Sequence, residues 1–352
     1  MSSVHLVVPD GVADPLRPSG GNTYDLRAAE GLSSLGWDVT LCPVAGAWPR
    51  LDDAGRAALG GALAGIPDGG TALVDGLVAS AAPEVLGSER ARIRLVALVH
   101  LPLGVASERS RRRERGALAG ADVVVTTGRW SRDWLLSAYG LEPRRVRAVL
   151  PGVAPAALSR HDPGGGRLLC VGAVSATKGH DLLVDALHRV GDLDWSCRCV
   201  GSLTVEPVVA ARVRASAAGM GERLTFSGPL VGDDLCAVYA AADLLLVPSR
   251  VETYGLVVTE ALARGVPVLG ADVGGLPEAL GVARDGRRPG VLVPADDPSA
   301  WAAVLRRWLT DAALRRDLRR AAGVRRAELR DWSATAADLS QVLAEVAAEV
   351  AA

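Results

Sequence analysis

Short runs of aliphatic and β-branched residues alternate with longer segments of helical period along nearly the whole chain. Such runs are typical of parallel strands that helices cover on both faces. The alternation therefore predicts an α/β protein with doubly wound parallel sheets. The predicted strands are 4–8, 38–41, 71–74, 93–99, 122–126 and 146–150 in the first half, and 167–171, 196–200, 223–226, 243–247, 266–269 and 290–293 in the second.

A segment rich in proline and glycine, residues 151–166, separates the two series of strands. It has no apolar period, which is typical of an interdomain linker. We therefore predict two Rossmann-like domains, residues 1–155 and 156–330. Helical spacing continues after Pro298, and we expect the last helix, 331–352, to return and brace the first domain.

The composition excludes several classes of protein. A length of 352 residues, 49% of them hydrophobic, fits about two globular domains. The 39 basic and 40 acidic residues leave a net charge of −1, so no overall field attracts a polyanion and nucleic-acid binding is not expected. The chain has five cysteines without a C-x-x-C pair, a strand in place of an export signal and no apolar run long enough for a bilayer, which together predict a cytoplasmic protein.

Four residue types occur once each, and two of them, asparagine and lysine, lie where chemistry is expected. The only asparagine, Asn22, follows Gly20 and Gly21 after the first strand, near the start of a predicted helix. Paired glycines there let backbone N–H groups approach an anion, although a flexible turn with Asn22 as N-cap explains the same pattern. The only lysine, Lys178, follows the first strand of the second domain. Its ammonium group would neutralise a diphosphate there, and a solvated surface lysine is the alternative.

The richest motif is DLLLVPSRVETYGLVVTEALARGVPVLGADVGGLPE, residues 243–278. Glu252 follows a buried strand, Tyr254 and Gly255 form a turn, and Glu260 comes eight residues after the first glutamate, inside the next helix. This segment resembles the E-x7-E signature of the retaining glycosyltransferases of family 4. The resemblance implies the GT-B fold, in which two Rossmann-like domains face each other across a cleft.

Three further segments are similar to the same family. PSGGN, which contains Gly20, Gly21 and Asn22, looks like the N-terminal glycine loop that contacts the donor phosphate and borders the acceptor site. VGAVSATKG resembles the segment whose lysine, here Lys178, holds the diphosphate, although Ala173 stands where an arginine is frequent. A third segment, ALVHLPL, resembles the one that places a histidine near the transferred sugar.

These matches define the predicted site. The predicted catalytic residues are His100, Glu252 and Lys178. The predicted donor-binding residues are Gly20, Gly21, Lys178, Leu230, Tyr254, Gly255, Leu256, Val257 and Glu260, and the predicted acceptor-binding residue is Asn22. In this arrangement Glu252 orients the sugar and Glu260 accepts from two ribose hydroxyls. Backbone N–H groups join the lysine around the leaving diphosphate.

The resemblance implies transfer of a hexose-type sugar from a nucleotide-diphosphate donor to an acceptor hydroxyl, with retention of configuration. A UDP-sugar is the favoured donor and GDP-mannose the other, and the acceptor is a small molecule, a glycan or a lipid-linked molecule. A nucleotide-sugar epimerase or hydrolase of the same fold, and a non-catalytic sugar-nucleotide binding module, remain alternatives. No metal or other cofactor is expected, because the histidines lack ligand spacing and the Asp192 and Asp194 pair precedes a strand, away from the ligand edge.

A cluster of five arginines lies in Arg109–Arg115, on a predicted helix of the first domain. A solvated helix face is the plain interpretation. Contact with an acidic acceptor, or with an anionic membrane surface, is the alternative that the charge suggests.

Overall fold

Each strand within the described residues, 2–348, belongs to one of two six-stranded parallel sheets in this computed structural model. The first sheet contains β1 (Ser3–Pro9), β2 (Asp38–Val44), β3 (Thr71–Asp75), β4 (Arg94–Val99), β5 (Val123–Thr126) and β6 (Val146–Ala148). The second contains β7 (Arg167–Val171), β8 (Ser196–Val200), β9 (Leu224–Phe226), β10 (Leu244–Val247), β11 (Val268–Ala271) and β12 (Gly290–Val293). Each predicted strand is present, and the α/β prediction is confirmed.

Helices connect most of the strands. Those before the linker are α1 (Gly20–Ser34), α2 (Asp53–Ala64), α3 (Gly76–Ala81), α4 (Pro83–Glu89), α5 (Glu108–Gly120) and α6 (Arg129–Tyr139). Those after it are α7 (His180–His188), α8 (Pro207–Ala217), α9 (Gly232–Ala241), α10 (Leu256–Leu262), α11 (Leu276–Leu280), α12 (Pro298–Thr310), α13 (Ala312–Arg326) and α14 (Trp332–Ala348). Short 3-10 turns cover Leu103–Val105, Pro143–Arg145, Ala176–Lys178 and Ala218–Arg223.

Two strands differ from their predicted bounds because of proline. β2 continues to Val44 through Pro43, which an edge strand tolerates because one side of its backbone needs no partner in the sheet. β11 begins at Val268 rather than Val266, because Pro267 has no N–H to donate to the ladder and only its carbonyl accepts a bond, from Leu245.

Contacts divide the chain into two units. The first unit comprises Met1–Asp14, Ser19–Gly152 and Arg330–Ala352, and the second comprises Pro15–Pro18 and Val153–Leu329. The sequence-based boundaries are 155/156 and 330/331. Met1 and residues 349–352, the end of the predicted last helix, lie outside the described residues.

One hydrophobic cluster of the first unit joins its sheet to helices from both ends of the chain. Leu6 and Leu98 of the sheet belong to it with Tyr24 and Leu32 of α1 and Leu339 of α14, and each is at most 1% exposed. Burying such area contributes about 25 cal/mol per Å². The last helix is therefore part of the core of the first unit, although the whole second unit precedes it in sequence.

The strand orders indicate where a ligand can bind. The first sheet has the order β2-β1-β3-β4-β5-β6 and the second has the order β12-β11-β10-β7-β8-β9. The direction of winding reverses between β1 and β3 and again between β7 and β10. Loops diverge there at the carboxyl ends of the strands and leave a crevice, which is where open α/β sheets bind their ligands.

Candidate active site

An ion pair lies at the switch point of the second sheet. The chain leaves β7 into the turn that ends with Lys178, and it leaves β10 into the loop that contains Glu252. Lys178 Nζ lies 2.6 Å from Glu252 Oε2, and Ser249 Oγ donates to the same oxygen at 3.4 Å. The lysine side chain is 34% exposed and the glutamate 11%, so this lysine is not a freely solvated surface residue. Two residues that the sequence predicts as catalytic are thereby in contact.

Close backbone contacts fix both loops of this pair, and glycine makes them possible. Gly179 has φ +67°, and a Cβ there would lie 2.0 Å from the carbonyl oxygen of Pro248. Gly274 has φ +54°, and a Cβ there would lie 1.9 Å from the carbonyl oxygen of Glu252. A side chain at either position would displace a loop, because L residues rarely adopt these φ values and no space remains.

Arg250 joins the same loops through its side chain, a contact that sequence reasoning missed. Its guanidinium binds both carboxylate oxygens of Asp181 at 2.8 and 2.9 Å and Asp296 Oδ1 at 2.6 Å. It also donates to the carbonyl of Ala176 at 2.9 Å, and its backbone N–H donates to Thr177 at 2.8 Å. The hydrogen bonds to these carboxylates raise the pKa of Arg250 further above its usual range, so the group stays charged.

The E-x-Y-G turn leads into α10. Gly255 has φ +93° and is the N-cap residue, and Tyr254 is 7% exposed. Leu256 and Val257, half-buried, form the first turn, whose N–H groups have no acceptor within the helix. These N–H groups are therefore available to an anionic ligand.

Glu260 lies inside α10, where it is half-buried and accepts a hydrogen bond of 2.7 Å from the hydroxyl of Tyr239. Burial raises the pKa of Glu260, although this hydrogen bond and the charge of Arg264 oppose the rise. The same carboxylate raises the pKa of Tyr239, which burial has already raised.

Leu230, a predicted donor-binding residue, is half-buried in the loop between β9 and α9.

The glycine loop of the first unit differs from its predicted form. Helix α1 begins at Gly20, and Ser19 is its N-cap, with Ser19 Oγ accepting from the backbone N–H of Asn22. The N-cap role considered for Asn22 is therefore wrong, because the serine three residues earlier already caps the helix. Gly20 and Gly21 lie in the first turn of the helix, and the Asn22 amide donates to the carbonyl of Gly11 at 3.5 Å.

His100 follows β4 and contacts this same turn. A Cβ on Gly21 would lie 3.0 Å from His100 Cδ2, so the imidazole packs directly on the start of α1. His100 Nε2 lies 2.8 Å from Asp25 Oδ1 and 3.5 Å from Asp75 Oδ2. The ring of Tyr24 approaches it edge-on, with 5.4 Å between ring centroids. The structure thus brings two predicted site residues together and adds two carboxylates.

The two carboxylates change the proton affinity of the histidine. Burial lowers the pKa of His100, but the charge of Asp25, its hydrogen bond and the charge of Asp75 outweigh burial and raise that pKa to about 9. Burial and the charge of Asp25 raise the pKa of Asp75 to about 7, while His100 and the backbone N–H groups of Leu77 and Val78 oppose the rise. The two carboxylates therefore favour the protonated form of the histidine.

Sequence reasoning missed both aspartates, although signals for them exist. Asp75 is the last residue of β3, the neighbour of β4, so its side chain emerges at the same sheet edge as His100. Asp25 comes four residues after Gly21 in α1, which puts both on one face of the helix.

A second buried carboxylate, Glu114 of α5, holds the loop that follows the histidine. It accepts from the backbone N–H groups of Leu103 at 2.9 Å and Gly104 at 2.8 Å, and from the Tyr139 hydroxyl at 2.5 Å. Burial raises the pKa of Glu114, although these three hydrogen bonds oppose the rise. The same helix exposes four arginines, Arg109, Arg111, Arg112 and Arg115.

Among residues 2–348, two groups of potential metal donors have ligand atoms within 4.8 Å of one another. They are Cys170, His180 and Cys199 in the second unit, and Asp25, Asp75 and His100 in the first. Core packing and a contact of 3.6 Å between Cys170 Sγ and His180 Nε2 account for the first group. The hydrogen bond from His100 Nε2 to Asp25 accounts for the second. Asp192 of the D-x-D pair binds Arg306 through both carboxylate oxygens, each at 2.7 Å.

The helices of residues 2–348 include no segment that combines the length and the apolar character needed to cross a membrane.

Comparison with known proteins gives a family match within the second unit. The family model described as glycosyl transferases group 1 matches residues 165–311. The D-inositol 3-phosphate glycosyltransferase of Salinispora tropica is 36% identical over 265 residues, which cover 67% of this chain and 53% of that protein. The protein of the same name from Streptomyces bingchenggensis is 32% identical over 298 residues, which cover 74% of this chain and 63% of that protein. The chain thus spans little more than half the length of these curated relatives.

Solved structures share the fold over nearly the whole chain. Sucrose-phosphate synthase from Thermosynechococcus elongatus has a TM-score of 0.81 at 21% identity, and the match covers 99% of this chain and 100% of that one. The HepE protein of Anabaena, in complex with UDP-glucose, has a TM-score of 0.80 at 17% identity, covering 98% and 100%. Together with the two doubly wound sheets, these matches confirm the predicted GT-B fold, and residues 165–311 match the family of group 1 glycosyl transferases.

Proposed function

We propose that the protein transfers a hexose-type sugar from a nucleoside-diphosphate donor to an acceptor hydroxyl, with retention of configuration. UDP-glucose in the complex of the related Anabaena fold supports a UDP-sugar as the donor. GDP-mannose is the second donor to test. In the transfer, the bond between the anomeric carbon and the diphosphate oxygen breaks and a bond to the acceptor oxygen forms. The acceptor proton leaves with the diphosphate, and the sugar passes through an oxocarbenium-like state.

The ion pair of Lys178 and Glu252 at the switch point carries this proposal. A leaving diphosphate gains negative charge as the bond breaks, and the only lysine of the sequence lies at the switch point, where open α/β sheets bind their ligands. The N–H groups of Leu256 and Val257 are additional donors to that charge. Glu252 then exchanges its lysine contact for hydroxyl groups of the sugar, which orients the anomeric carbon.

For Glu260 we propose the ribose of the donor as ligand. One carboxylate oxygen already accepts from Tyr239, which leaves the other oxygen and the remaining lone pairs for the ribose hydroxyls. Leu230 borders the base. In the first unit, Gly20 and Gly21 offer backbone N–H groups to the donor phosphate, and Asn22 is proposed on the acceptor side.

For the acceptor, we propose an anionic polyol. The curated relatives are named for D-inositol 3-phosphate, which combines a ring of hydroxyl groups with a phosphate. The exposed arginines of α5 fit that charge, because guanidinium groups bind phosphate in a bidentate manner. Binding of this chain to anionic vesicles without any effect of an anionic acceptor on turnover would assign the arginines to a membrane surface instead.

The proposed function is tested by a ligand screen followed by a turnover assay. We expect UDP to raise the unfolding temperature more than GDP, CDP or ADP, because a ligand that binds only the folded state stabilises it by mass action. A chelator leaves this shift and the turnover unchanged if lysine and backbone N–H groups supply the charge. Release of free sugar or of an epimer without acceptor would indicate the hydrolase or epimerase. Tight UDP binding that Glu252→Ala leaves unchanged, with no turnover, would indicate a non-catalytic binding module.

A further inference from the structure

The cluster of Asp25, Asp75 and His100 contains a carboxylate that the fold does not require. Asp25 is fully buried on α1, and its Oδ2 has no hydrogen-bond partner among residues 2–348. A buried acceptor without a partner costs about 1–3 kcal/mol, and more when it is charged. Asp25 therefore does not serve stability alone, and its other oxygen contacts a single group, the imidazole of His100.

The two ring nitrogens of His100 have different surroundings. Nε2 points inward, where Asp25 Oδ1 lies at 2.8 Å and Asp75 Oδ2 at 3.5 Å. Within the described part of the chain, Nδ1 takes part in no hydrogen bond, while the side chain retains 16% exposure. The hydrogen bond between Nε2 and Asp25 Oδ1 favours this orientation of the ring. Nδ1 is thus the nitrogen that a ligand can reach.

The charges that face the ring come from two elements. Asp25 belongs to α1 and Asp75 ends β3, and the third titratable neighbour, Tyr24, presents a ring edge while its hydroxyl donates to the carbonyl of Val149. Asp75 has a second task, because its Oδ1 accepts from the backbone N–H groups of Leu77 and Val78 at the start of α3. These bonds hold the Asp75 carboxylate at the start of α3. The only side-chain hydrogen bond of Asp25 among residues 2–348 is the one with His100.

We infer that Asp25 is a positioning residue that holds His100 as an imidazolium, so that His100 acts on the substrate as a hydrogen-bond donor through Nδ1 and not as a general base. This inference rests on the proposed function and deepens it. A general base needs a free lone pair, as in arrangements where one carboxylate orients a neutral histidine. Here two carboxylates face one nitrogen, and the second favours the cation. The donor from Nδ1 forms a charge-assisted hydrogen bond that orients a hydroxyl oxygen of the sugar or of the acceptor.

The first test is a titration by NMR, which needs no substrate. Protein labelled with ¹⁵N is titrated, and the signals of His100 are assigned by their absence in His100→Gln. This is practicable because the chain has five histidines. We expect both ring nitrogens of His100 to carry protons at pH 7 and the midpoint to lie well above that of an ordinary histidine. A midpoint at or below 6.5, the ordinary value, overturns the inference without any variant.

The second test uses Asp25→Asn, which keeps the shape of the side chain and removes its charge. The His100 midpoint is expected to fall by about one pH unit or more, which is a tenfold loss of proton affinity. Glu30→Gln is the matched control on the same helix, because that carboxylate is 64% exposed and pairs with Arg27. The control leaves the midpoint unchanged. An unchanged midpoint in Asp25→Asn overturns the inference.

The third test is the pH dependence of turnover. If His100 must donate, kcat/KM of the natural protein falls as pH rises through about 9 and the histidine loses its proton. In Asp25→Asn the fall moves to lower pH, and lowering the pH restores the activity. A purely structural role of Asp25 would give a loss that pH does not restore. A rate that rises with pH through the His100 midpoint would show a general base and overturn the inference.

These tests separate the two proposals. Asp25→Asn is expected to bind UDP as the natural protein does, which also verifies that it folds. Should the protein turn over no donor with any acceptor, the proposed function fails, while the NMR titration still decides whether Asp25 holds the imidazolium.

Discussion

At the scale of residues, three side-chain pairs join predicted site residues to their partners, and each pair lies within one unit. Lys178 with Glu252 supplies opposite charges at a distance of 2.6 Å. Glu260 accepts from a buried tyrosine, and His100 donates to a buried aspartate. Lys178, Glu252 and His100 follow strands at the carboxyl edge of a sheet, whereas Glu260 lies inside α10. The second partner fixes the charge or the orientation of the first.

The first residue-scale prediction concerns Lys178. Lys178→Ala should weaken UDP binding by about tenfold to a hundredfold, because a charge-assisted bond to the diphosphate is worth about 1.5–3 kcal/mol. Isothermal titration calorimetry measures the change. Arg198→Ala removes an exposed cation from β8 and serves as the control. Equal affinities of Lys178→Ala and the natural protein would remove the lysine from the diphosphate site.

The second concerns Glu260. Its pKa is raised by burial, so the carboxylate takes up a proton at a higher pH than an ordinary glutamate. UDP affinity should therefore weaken as pH falls through that raised pKa, and Glu260→Gln should bind weakly at all pH values. Calorimetric titrations at several pH values test this. Tyr239→Phe keeps the charge of Glu260 and removes only the hydrogen bond, so UDP affinity should still depend on pH in this variant. A UDP affinity that does not change with pH in the natural protein would argue against the ribose contact.

At the scale of elements, Arg250 connects the turn after β7, the helix α7 and the loop before α12. No local pattern marks it, since these partners lie between 46 and 74 residues away in sequence. The arginine fixes the backbone of the lysine turn through carbonyl contacts. The position of the ammonium group therefore depends on the loop after a different strand.

Arg250→Ala should lower UDP affinity by about threefold to tenfold, because losing a partly exposed network of ion pairs costs about 1 kcal/mol or slightly more. Hydrogen exchange should show faster exchange in residues 176–181 as the turn loosens. Arg306→Ala is the matched control, since Arg306 binds Asp192 with the same bidentate geometry on α12. Equal effects of both substitutions on UDP affinity would contradict a specific role of Arg250.

At the scale of the whole molecule, the chain leaves the first unit after Gly152 and returns at Arg330. Leu339 of α14 is fully buried in the core cluster of the first unit, and the indole N–H of Trp37 donates to Ser340 Oγ at 2.8 Å. The Thr335 hydroxyl donates to the carbonyl of Leu150 at 2.9 Å. Residues from the far end of the sequence thus stabilise the unit that carries His100.

Leu339→Ala should destabilise the first unit by about 2–5 kcal/mol, because it removes buried methyl groups and leaves a cavity. Denaturant unfolding measures the loss of stability, and hydrogen exchange locates it. Exchange should become faster in residues 3–148, whereas the strands of the second unit should stay protected. Gln341→Ala, an exposed position on the same helix, should change stability by less than about 0.5 kcal/mol. Uniform loss of protection in both units after Leu339→Ala would contradict this division.

The sequence alone determined the class of fold and was enough to name most of the candidate site residues. The strand segments are recognisable because a strand buried on both faces needs a continuous apolar run, which is a local property. The E-x7-E segment and the single lysine are equally local, and the structure places Lys178 against Glu252. The start of α1 was mispredicted by a few residues, because Ser19 competes with Asn22 as N-cap and local rules do not choose between them.

Tertiary structure alone decided the partners of these residues. Asp25 and His100 are 75 residues apart, and Arg250 and Asp181 are 69 residues apart. Periodicity extends over one element, whereas the order of strands in a sheet decides which ends meet at its edge. The raised pKa of His100 therefore follows from the positions of β3, β4 and α1 relative to one another, since burial by itself would have lowered that pKa.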